Sequence, residues 1–137
     1  MPEIMGTVER PVMILACSGC SYVGQLANRV AVELSREGFG KMSCLAALGA
    51  HLESYLQSAR LAPELVAING CEVGCVAITL EHLGIVHGIN ITLTETGIAK
   101  KNKSDPTPED MALVKDFITS RVKSNASSPS CGCDCCS

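Results

Sequence analysis

The fold of this chain is decided by one stretch of its sequence, Val12-Met13-Ile14-Leu15-Ala16-Cys17-Ser18-Gly19-Cys20. Its first five residues are all apolar, which is typical of a parallel strand that is buried on both faces. Two cysteines follow, where such a strand passes into the next helix. A second apolar run, Leu65-Val66-Ala67-Ile68, is followed in the same way by Cys71 and Cys75. This order predicts parallel strands whose cysteines collect at one edge of a sheet.

Strands and helices alternate along the rest of the chain. Apolar residues spaced three or four apart predict helices over 20–37, 50–60 and 72–83, and a last helix runs from Pro108 to about Val122 with Thr107 as its N-cap. The second and fourth strands are predicted over 42–46 and 89–94. Successive β-α units indicate right-handed crossovers with helices on both faces of the sheet. We therefore expect a small, Rossmann-like α/β fold with a four-stranded parallel sheet in the order 2-1-3-4, which places the first strand beside its cysteine-bearing neighbours.

The sequence predicts one domain followed by a tail. Its 137 residues suit a single domain, and 47% of them are hydrophobic, which is ample for one core. We place this α/β domain at residues 1–123. Residues 124–137 begin with a polar, serine-rich linker and end with Cys131, Cys133, Cys135 and Cys136. Because such a segment cannot bury a core, we expect it to be a flexible, disordered tail.

Charge and hydropathy exclude nucleic acid and membranes as partners. The net charge is −3 at pH 7, with 11 basic and 14 acidic residues, so no basic field is present to attract nucleic acid. No apolar stretch approaches the ~18 residues needed to cross a membrane, and the N-terminus lacks the features of a signal peptide. We expect a cytoplasmic protein, and the sequence indicates no particular protein partner. Nine cysteines in that compartment favour metal binding or redox chemistry over structural disulfides.

Five cysteines form the candidate site, namely Cys17, Cys20, Cys44, Cys71 and Cys75. Each lies in or just after a predicted strand, so a parallel sheet brings all of them to its carboxyl edge, where open α/β sheets bind ligands. Cys20 opens the first helix, and Cys71 and Cys75 open the third, where the positive end of the helix macrodipole favours the thiolate. Thiolates are the preferred ligands of soft metal ions, of which Zn²⁺ is the simplest choice. Which four of these cysteines bind the ion stays open.

Several stretches of the chain form a recognisable set. They are Ala16-Cys17-Ser18-Gly19-Cys20-Ser21, Gly24-Gln25-Leu26-Ala27-Asn28, Lys41-Met42-Ser43-Cys44, Ala67-Ile68-Asn69-Gly70-Cys71-Glu72-Val73-Gly74-Cys75 and Thr96-Gly97-Ile98-Ala99-Lys100-Lys101. With them, the chain over about residues 12–120 resembles the DGC-domain family. The resemblance implies zinc binding by cysteines and no defined biochemical role. The family is named after an Asp-Gly-Cys motif; Asn69 stands here in place of the Asp, so a carboxylate role is not carried over to this position.

The same cysteines leave alternative functions open. They suit a carrier or an enzyme that uses thiol chemistry, namely disulfide exchange, sulfur transfer or metalloid transfer. Whether the chain is an enzyme is therefore open, and no catalytic residue is assigned. The cysteines also suit an interaction or sensor module whose loops a metal ion orders, or simply small buried hydrophobic side chains. The tail cysteines are expected to capture a soft metal or a metalloid such as trivalent arsenic.

Other polar residues near the predicted site have simpler interpretations. Gln25 is expected on the solvated face of the first helix, and Asn69-Gly70 is expected to form a turn. The three histidines, His51, His82 and His87, are expected at the surface or in the core rather than as metal ligands.

Overall fold

The computed structural model describes residues 12–98 and 105–127, with side chains as far as Lys123. Residues 124–127, which the sequence analysis assigned to the tail, instead continue the last helix. The rest of the expected tail lies outside the described residues, together with its cysteines, Cys131, Cys133, Cys135 and Cys136.

One parallel sheet forms the centre of the fold. Its strands are β1 (Val12–Ala16), β2 (Lys41–Met42), β3 (Glu64–Asn69) and β4 (Ile89–Thr92). Their order is β2-β1-β3-β4, and each neighbouring pair is parallel. The longest pairing joins β1 to β3, from Val12 opposite Glu64 to Ala16 opposite Ile68. The predicted α/β class and the strand order 2-1-3-4 are therefore confirmed.

Helices cover both faces of this sheet. They are α1 (Tyr22–Arg36), α2 (Leu45–Gly49), α3 (Glu53–Leu61), α4 (Cys75–His82) and α5 (Pro108–Ser127), and a 3₁₀ turn covers Leu93–Thr96. At the start of α5, the Thr107 hydroxyl accepts the backbone N–H of Asp110 at 3.2 Å, as expected of an N-cap. Within the described residues, no helix combines the length and apolar character that crossing a membrane requires.

The second strand is shorter than its sequence pattern predicted. Only Lys41 and Met42 pair with β1, whereas the prediction covered 42–46. The N–H of Ser43 still donates to a β1 carbonyl at 2.9 Å, after which Cys44 leaves the sheet and becomes the N-cap residue of α2. The next residues, Leu-Ala-Ala-Leu, are strong helix formers, so the chain turns into a helix instead of extending the strand.

Two further boundaries differ from the predictions. The helix predicted from residue 72 begins at Cys75, because Gly74 before it adopts the left-handed conformation with φ of 69°. The strand predicted over 89–94 ends at Thr92, where the chain tightens into the 3₁₀ turn. In both places a local turn shortens an element that hydrophobic periodicity alone would extend.

Two apolar cores lie on opposite faces of the sheet. Ile14 and Ala16 of β1 contribute to the core beneath α1 and α5, and Leu15 contributes to the core beneath α2, α3 and α4. The residues of β3 alternate in the same way. Cys17 is half-buried and packs against both cores, since it lies where β1 emerges between the two helical layers.

Loops at the carboxyl edge approach α1 so closely that a side chain would not fit at two positions. A Cβ atom at Gly70 would lie 2.9 Å from the backbone nitrogen of Gly24, and a Cβ atom at Gly24 would lie 2.7 Å from the carbonyl oxygen of Gly19. The hydroxyl of Ser21, the N-cap of α1, accepts the N–H of Gly24 at 3.2 Å. The chain after β3, the first turn of α1 and the cysteine loop after β1 are therefore stacked directly on one another.

The first turns of α1 and α5 are joined by Tyr22. Its side chain is only 2% exposed. The hydroxyl donates to the carboxylate of Asp110 and accepts the backbone N–H of Thr107 at 3.3 Å. Burial and, next in importance, the hydrogen bond to Asp110 raise the pKa of Tyr22. This tyrosine thus anchors the last helix to the helix that follows the first cysteine loop.

We expect Gly70→Ala to lower the free energy of unfolding by about 1–3 kcal/mol, because the added methyl group would overlap the backbone of α1. Denaturant unfolding measures the change. Gly49→Ala is the matched control, since an added Cβ there meets nothing within 4 Å and alanine is the better helix former. A Gly70→Ala variant as stable as the wild type would contradict the close approach.

The raised pKa of Tyr22 predicts a loss of stability at alkaline pH. The folded protein holds the phenol proton more tightly than the unfolded chain, so this contribution is complete below about pH 10 and is lost as the pH rises through the folded-state pKa. Chemical denaturation at neutral and alkaline pH should show a smaller alkaline decline for Tyr22→Phe than for the wild type. Tyr55→Phe, on the exposed side of α3, should keep the wild-type decline. An equal decline in all three proteins would refute this assignment.

Candidate functional site

The candidate cysteines all lie at the carboxyl edge of the sheet. Cys17 directly follows β1, and its N–H donates to a β3 carbonyl at 3.0 Å, so it continues the central strand pairing. Cys44 follows β2 as the N-cap residue of α2, and Cys71 follows β3. Cys75 is the first residue of α4, and Cys20 immediately precedes the N-cap of α1. The strand topology therefore brings every predicted site residue to one edge.

These thiols differ in their accessibility. All five are free. Cys17 and Cys71 are half-buried and pack against the apolar core, whereas Cys20, Cys44 and Cys75 are exposed. The site thus has an inner pair on the neighbouring strands β1 and β3, and an outer set on the surrounding loops and helix ends.

Hydrogen bonds fix the loop after β1. The backbone N–H of Gly19 is directed at the Sγ atom of Cys17 at 3.5 Å. The side-chain amide of Gln25 donates to the carbonyl oxygens of Gly19 at 2.8 Å and Ser18 at 3.3 Å. The sequence analysis expected Gln25 to be merely solvated; it is exposed, yet it holds the cysteine loop against α1.

The loop after β3 is a tight turn that ends at a second cysteine. The N–H of Gly74 donates to the carbonyl oxygen of Cys71 at 3.1 Å. Glycine is favoured at this position because its φ of 69° strains any residue that carries a Cβ. The carboxylate of Glu72 accepts a hydrogen bond from the Thr94 hydroxyl at 3.3 Å. The loop is therefore linked to the turn that follows β4.

Asn69 is a buried polar residue whose role the sequence analysis missed. Its Oδ1 atom accepts the N–H groups of Val76 at 3.0 Å and Ala77 at 3.1 Å, so it caps α4 from the end of β3. Its Nδ2 atom donates to the carbonyl oxygen of Ile91 and to Oδ1 of Asn90, both at 3.4 Å. An ionised aspartate would keep the two accepted bonds and lose both donated ones. Asn69 is thus a strand residue with a capping side chain, and the turn expected at this position begins only after it.

The thiols suit a soft metal ion in their chemistry, but they are not gathered into a coordination shell. Among residues 12–98 and 105–127, no group of three Cys, His, Asp or Glu side chains is arranged to hold one ion. Ligation would therefore need rotation or loop movement at the exposed Cys20, Cys44 or Cys75. The strand ends already hold Cys17 and Cys71 in place.

The three histidines are exposed at the surface, one of the two positions expected for them. His51 follows the end of α2 and His82 is the last residue of α4, and both line a groove between these helices. The same helices start at Cys44 and Cys75, at the carboxyl edge of the sheet. His87 lies in the connection to β4.

Comparisons with known proteins agree with the residues that define this edge. The family model of the DGC domain matches residues 13–118, which include all of β1 except Val12, all of α4 and the five candidate cysteines. A curated relative, the anaerobic and virulence modulator AnvM of Pseudomonas aeruginosa, is 36% identical over 98 residues, covering 72% of this chain and 75% of that protein. No solved structure matches the chain significantly.

Replacing Asn69 tests its capping role. We expect Asn69→Ala to lower the free energy of unfolding by about 1–3 kcal/mol, because two N–H groups of α4 lose a buried acceptor. Urea unfolding gives this value. Asn90→Ala is the control, since this exposed residue loses one long side-chain contact and should change stability by less than about 0.5 kcal/mol. Equal effects of the two substitutions would argue against the cap.

Proposed function

This chain belongs to the DGC-domain family, and on that premise we propose that it binds a soft metal ion, most simply Zn²⁺, through cysteine thiolates at the carboxyl edge of its sheet. The proposed ligands are Cys17, Cys20, Cys71 and Cys75, with Cys44 close by or replacing Cys20. The observation that carries the proposal is the position of Cys17 and Cys71, which follow two strands that pair directly with each other.

Strand spacing supports a shared ion between the inner cysteines. Neighbouring strands lie about 4.8 Å apart. A tetrahedral zinc site with Zn–S distances near 2.3 Å needs sulfurs about 3.8 Å from one another. Cys17 and Cys71 follow these two adjacent strands, and we propose that rotation of their side chains brings the sulfurs to that separation. Cys20 and Cys75 belong to the same two loops, and their exposure leaves them free to turn toward the inner pair.

Helix ends at the site would stabilise negative charge on the ligands. Cys20 precedes the N-cap of α1, and Cys75 occupies the first position of α4. Each helix presents the positive end of its macrodipole there, a contribution of about 0.3–1 kcal/mol per charge. Because four thiolates bring more negative charge than Zn²⁺ neutralises, these helix ends favour ligation at this edge over other places in the fold.

We extend the proposal to metal or metalloid handling in the cytoplasm, where thiols stay reduced. Residues 131–136 contain four cysteines, which suit a thiophilic ion such as Zn²⁺ or trivalent arsenic. Joined to the domain by the chain itself, these thiols would have a high effective concentration at the edge of the sheet. Ligand exchange between tail and edge would then deliver the ion.

A second candidate function is thiol redox chemistry or sulfur transfer by the same cysteines. One observation favours it, namely that the Gly19 N–H is directed at the sulfur of Cys17. In such a reaction two thiols, for example Cys17 and Cys20, would be oxidised to a disulfide while a partner disulfide is reduced to two thiols. This function requires one reactive thiolate and a resolving partner.

The relative AnvM is named as an anaerobic and virulence modulator. For this chain we propose a third candidate function, in which a bound ion orders the cysteine loops and these loops then present a surface to a protein partner. Thermal unfolding with and without Zn²⁺ bears on it, because an ion that binds only the folded state raises the unfolding temperature.

Metal analysis of purified protein tests the main proposal. We expect protein purified under reducing conditions to contain bound Zn²⁺, and Cys17→Ser and Cys71→Ser each to lose most of the core zinc. The measurement is elemental analysis in a background where the tail cysteines are replaced by serine, so that only the domain binds metal. Ser18→Ala is the matched control, since it changes the same loop without removing a thiol.

An unchanged zinc content in Cys17→Ser and Cys71→Ser would refute the proposed site. Thiol titration with and without a chelator separates the two candidate functions. Metal binding hides most thiols until the chelator is added, whereas redox chemistry leaves one thiol reactive throughout.

A further inference from the structure

A cleft of about 300 Å³ opens at the β2 edge of the sheet, and none of the candidate ligands lines it. It lies between β2 and α3. Met13 and Met42 line it together with Lys41, Ser43 and the hydroxyl-bearing residues of α3, but the side chain of Met42 packs on the opposite face of the sheet, with its partner Ile14. This volume is at the lower end of the range found for small-molecule sites.

The cleft exists because β2 is so short. After Lys41 and Met42 the chain leaves the sheet, so α3 extends past β1 without a full strand beneath it. Lys41 pairs with Met13 across the strands, and paired residues of parallel strands point to the same face. Met13 packs against the core beneath α2, α3 and α4, which places Lys41 on that face as well, at the mouth of the cleft.

The polar groups of the cleft are largely free. Within residues 12–98 and 105–127, the Lys41 ammonium has no carboxylate partner, and the hydroxyls of Ser43, Ser54 and Tyr55 have no hydrogen-bond partner. The Ser58 hydroxyl donates to the carbonyl oxygen of Ser54 at 3.1 Å. One positive charge and several unused hydroxyl donors therefore face the same small volume, in a chain whose net charge is −3.

We propose that this cleft binds a small organic anion, with its charged head at Lys41 and the hydroxyls and its short apolar body against Met13 and the ring of Tyr55. A lysine and hydroxyl groups are suited to carboxylate and phosphate oxygens. The Met13 side chain adapts to an apolar group of variable shape. Since one liquid water molecule takes about 30 Å³, the cleft accommodates a ligand of about ten non-hydrogen atoms.

Binding of n-hexanoate to the full chain tests the proposal. Two further probes serve as comparisons: 1-hexanol has the apolar body without the negative charge, and inorganic phosphate has the negative charge without the apolar body. Two-dimensional NMR titration under reducing conditions, with a chelator present, follows the amide signals of β2 and α3. We expect hexanoate to shift these signals saturably at millimolar concentration, and each of the other probes to bind at least about tenfold more weakly. Added salt should weaken hexanoate binding, because Lys41 is exposed.

Substitutions at Lys41 test whether this lysine binds the anion or is merely a charged residue on an edge strand. Lys41→Gln should weaken hexanoate binding about tenfold, the loss of one charge-assisted hydrogen bond, and Lys41→Arg should retain it. Arg60→Gln is the matched control, since it removes the same charge from α3 outside the cleft. The dispersed NMR spectrum of each variant shows whether it is folded.

Three outcomes would overturn the proposal: no saturable hexanoate binding, equal binding of hexanol, or equal affinities of Lys41→Gln and Arg60→Gln. In the last case Lys41 acts only to discourage pairing of the short edge strand with another chain. Cys44→Ser, next to Ser43, should leave hexanoate affinity unchanged, so the result does not depend on metal binding.

Discussion

The parallel pairing of β1 with β3 is the constraint on which the rest of the structure depends. It runs in continuous register from Val12 to Ala16, and the N–H of Cys17 carries it one residue further. Because parallel strands require crossover connections, the loops after β1 and β3 must both open at the same edge of the sheet. The two cores, the position of α1 and the placement of Cys17 and Cys71 at the same edge all follow from this pairing.

At the carboxyl edge of the sheet, the backbone of the cysteine loops is held rigidly, whereas the exposed thiols are free to rotate. Backbone contacts between Gly70, Gly24 and Gly19 leave no room for a side chain, so the two cysteine loops cannot shift independently of α1. Gln25 and Asn69 add hydrogen bonds from the flanking elements. The exposed cysteines, in contrast, are held by their backbone alone. This division between a fixed backbone and exposed thiols suits the proposed metal binding and the alternative thiol exchange equally well.

Much of the fold was predictable because its strongest signals are local. The apolar run at 12–16 and its counterpart in β3 mark central strands, and the simplest strand order that brings their cysteines to adjacent positions is the one observed. The incorrect predictions fall either on segments that are too short to classify or on residues whose role depends on distant parts of the chain. The 42–46 segment is too short for its periodicity to distinguish a strand from a helix. Asn69 caps a helix that begins six positions later in the chain, an interaction that no sequence window displays. The cleft at the β2 edge depends on where β2 stops and α3 lies, which are tertiary properties.

The loop between Cys71 and Cys75 is clamped at both ends. Before it, β3 is paired on both sides; after it, Asn69 holds the first turn of α4, and Gly74 fixes the bend between them. The span between its two sulfurs is consequently dictated by the frame, and only side-chain rotation adjusts it. A ligand shared by these two sulfurs, as in the proposed function, would therefore be selected for its size by β3 and α4 rather than by the cysteines themselves.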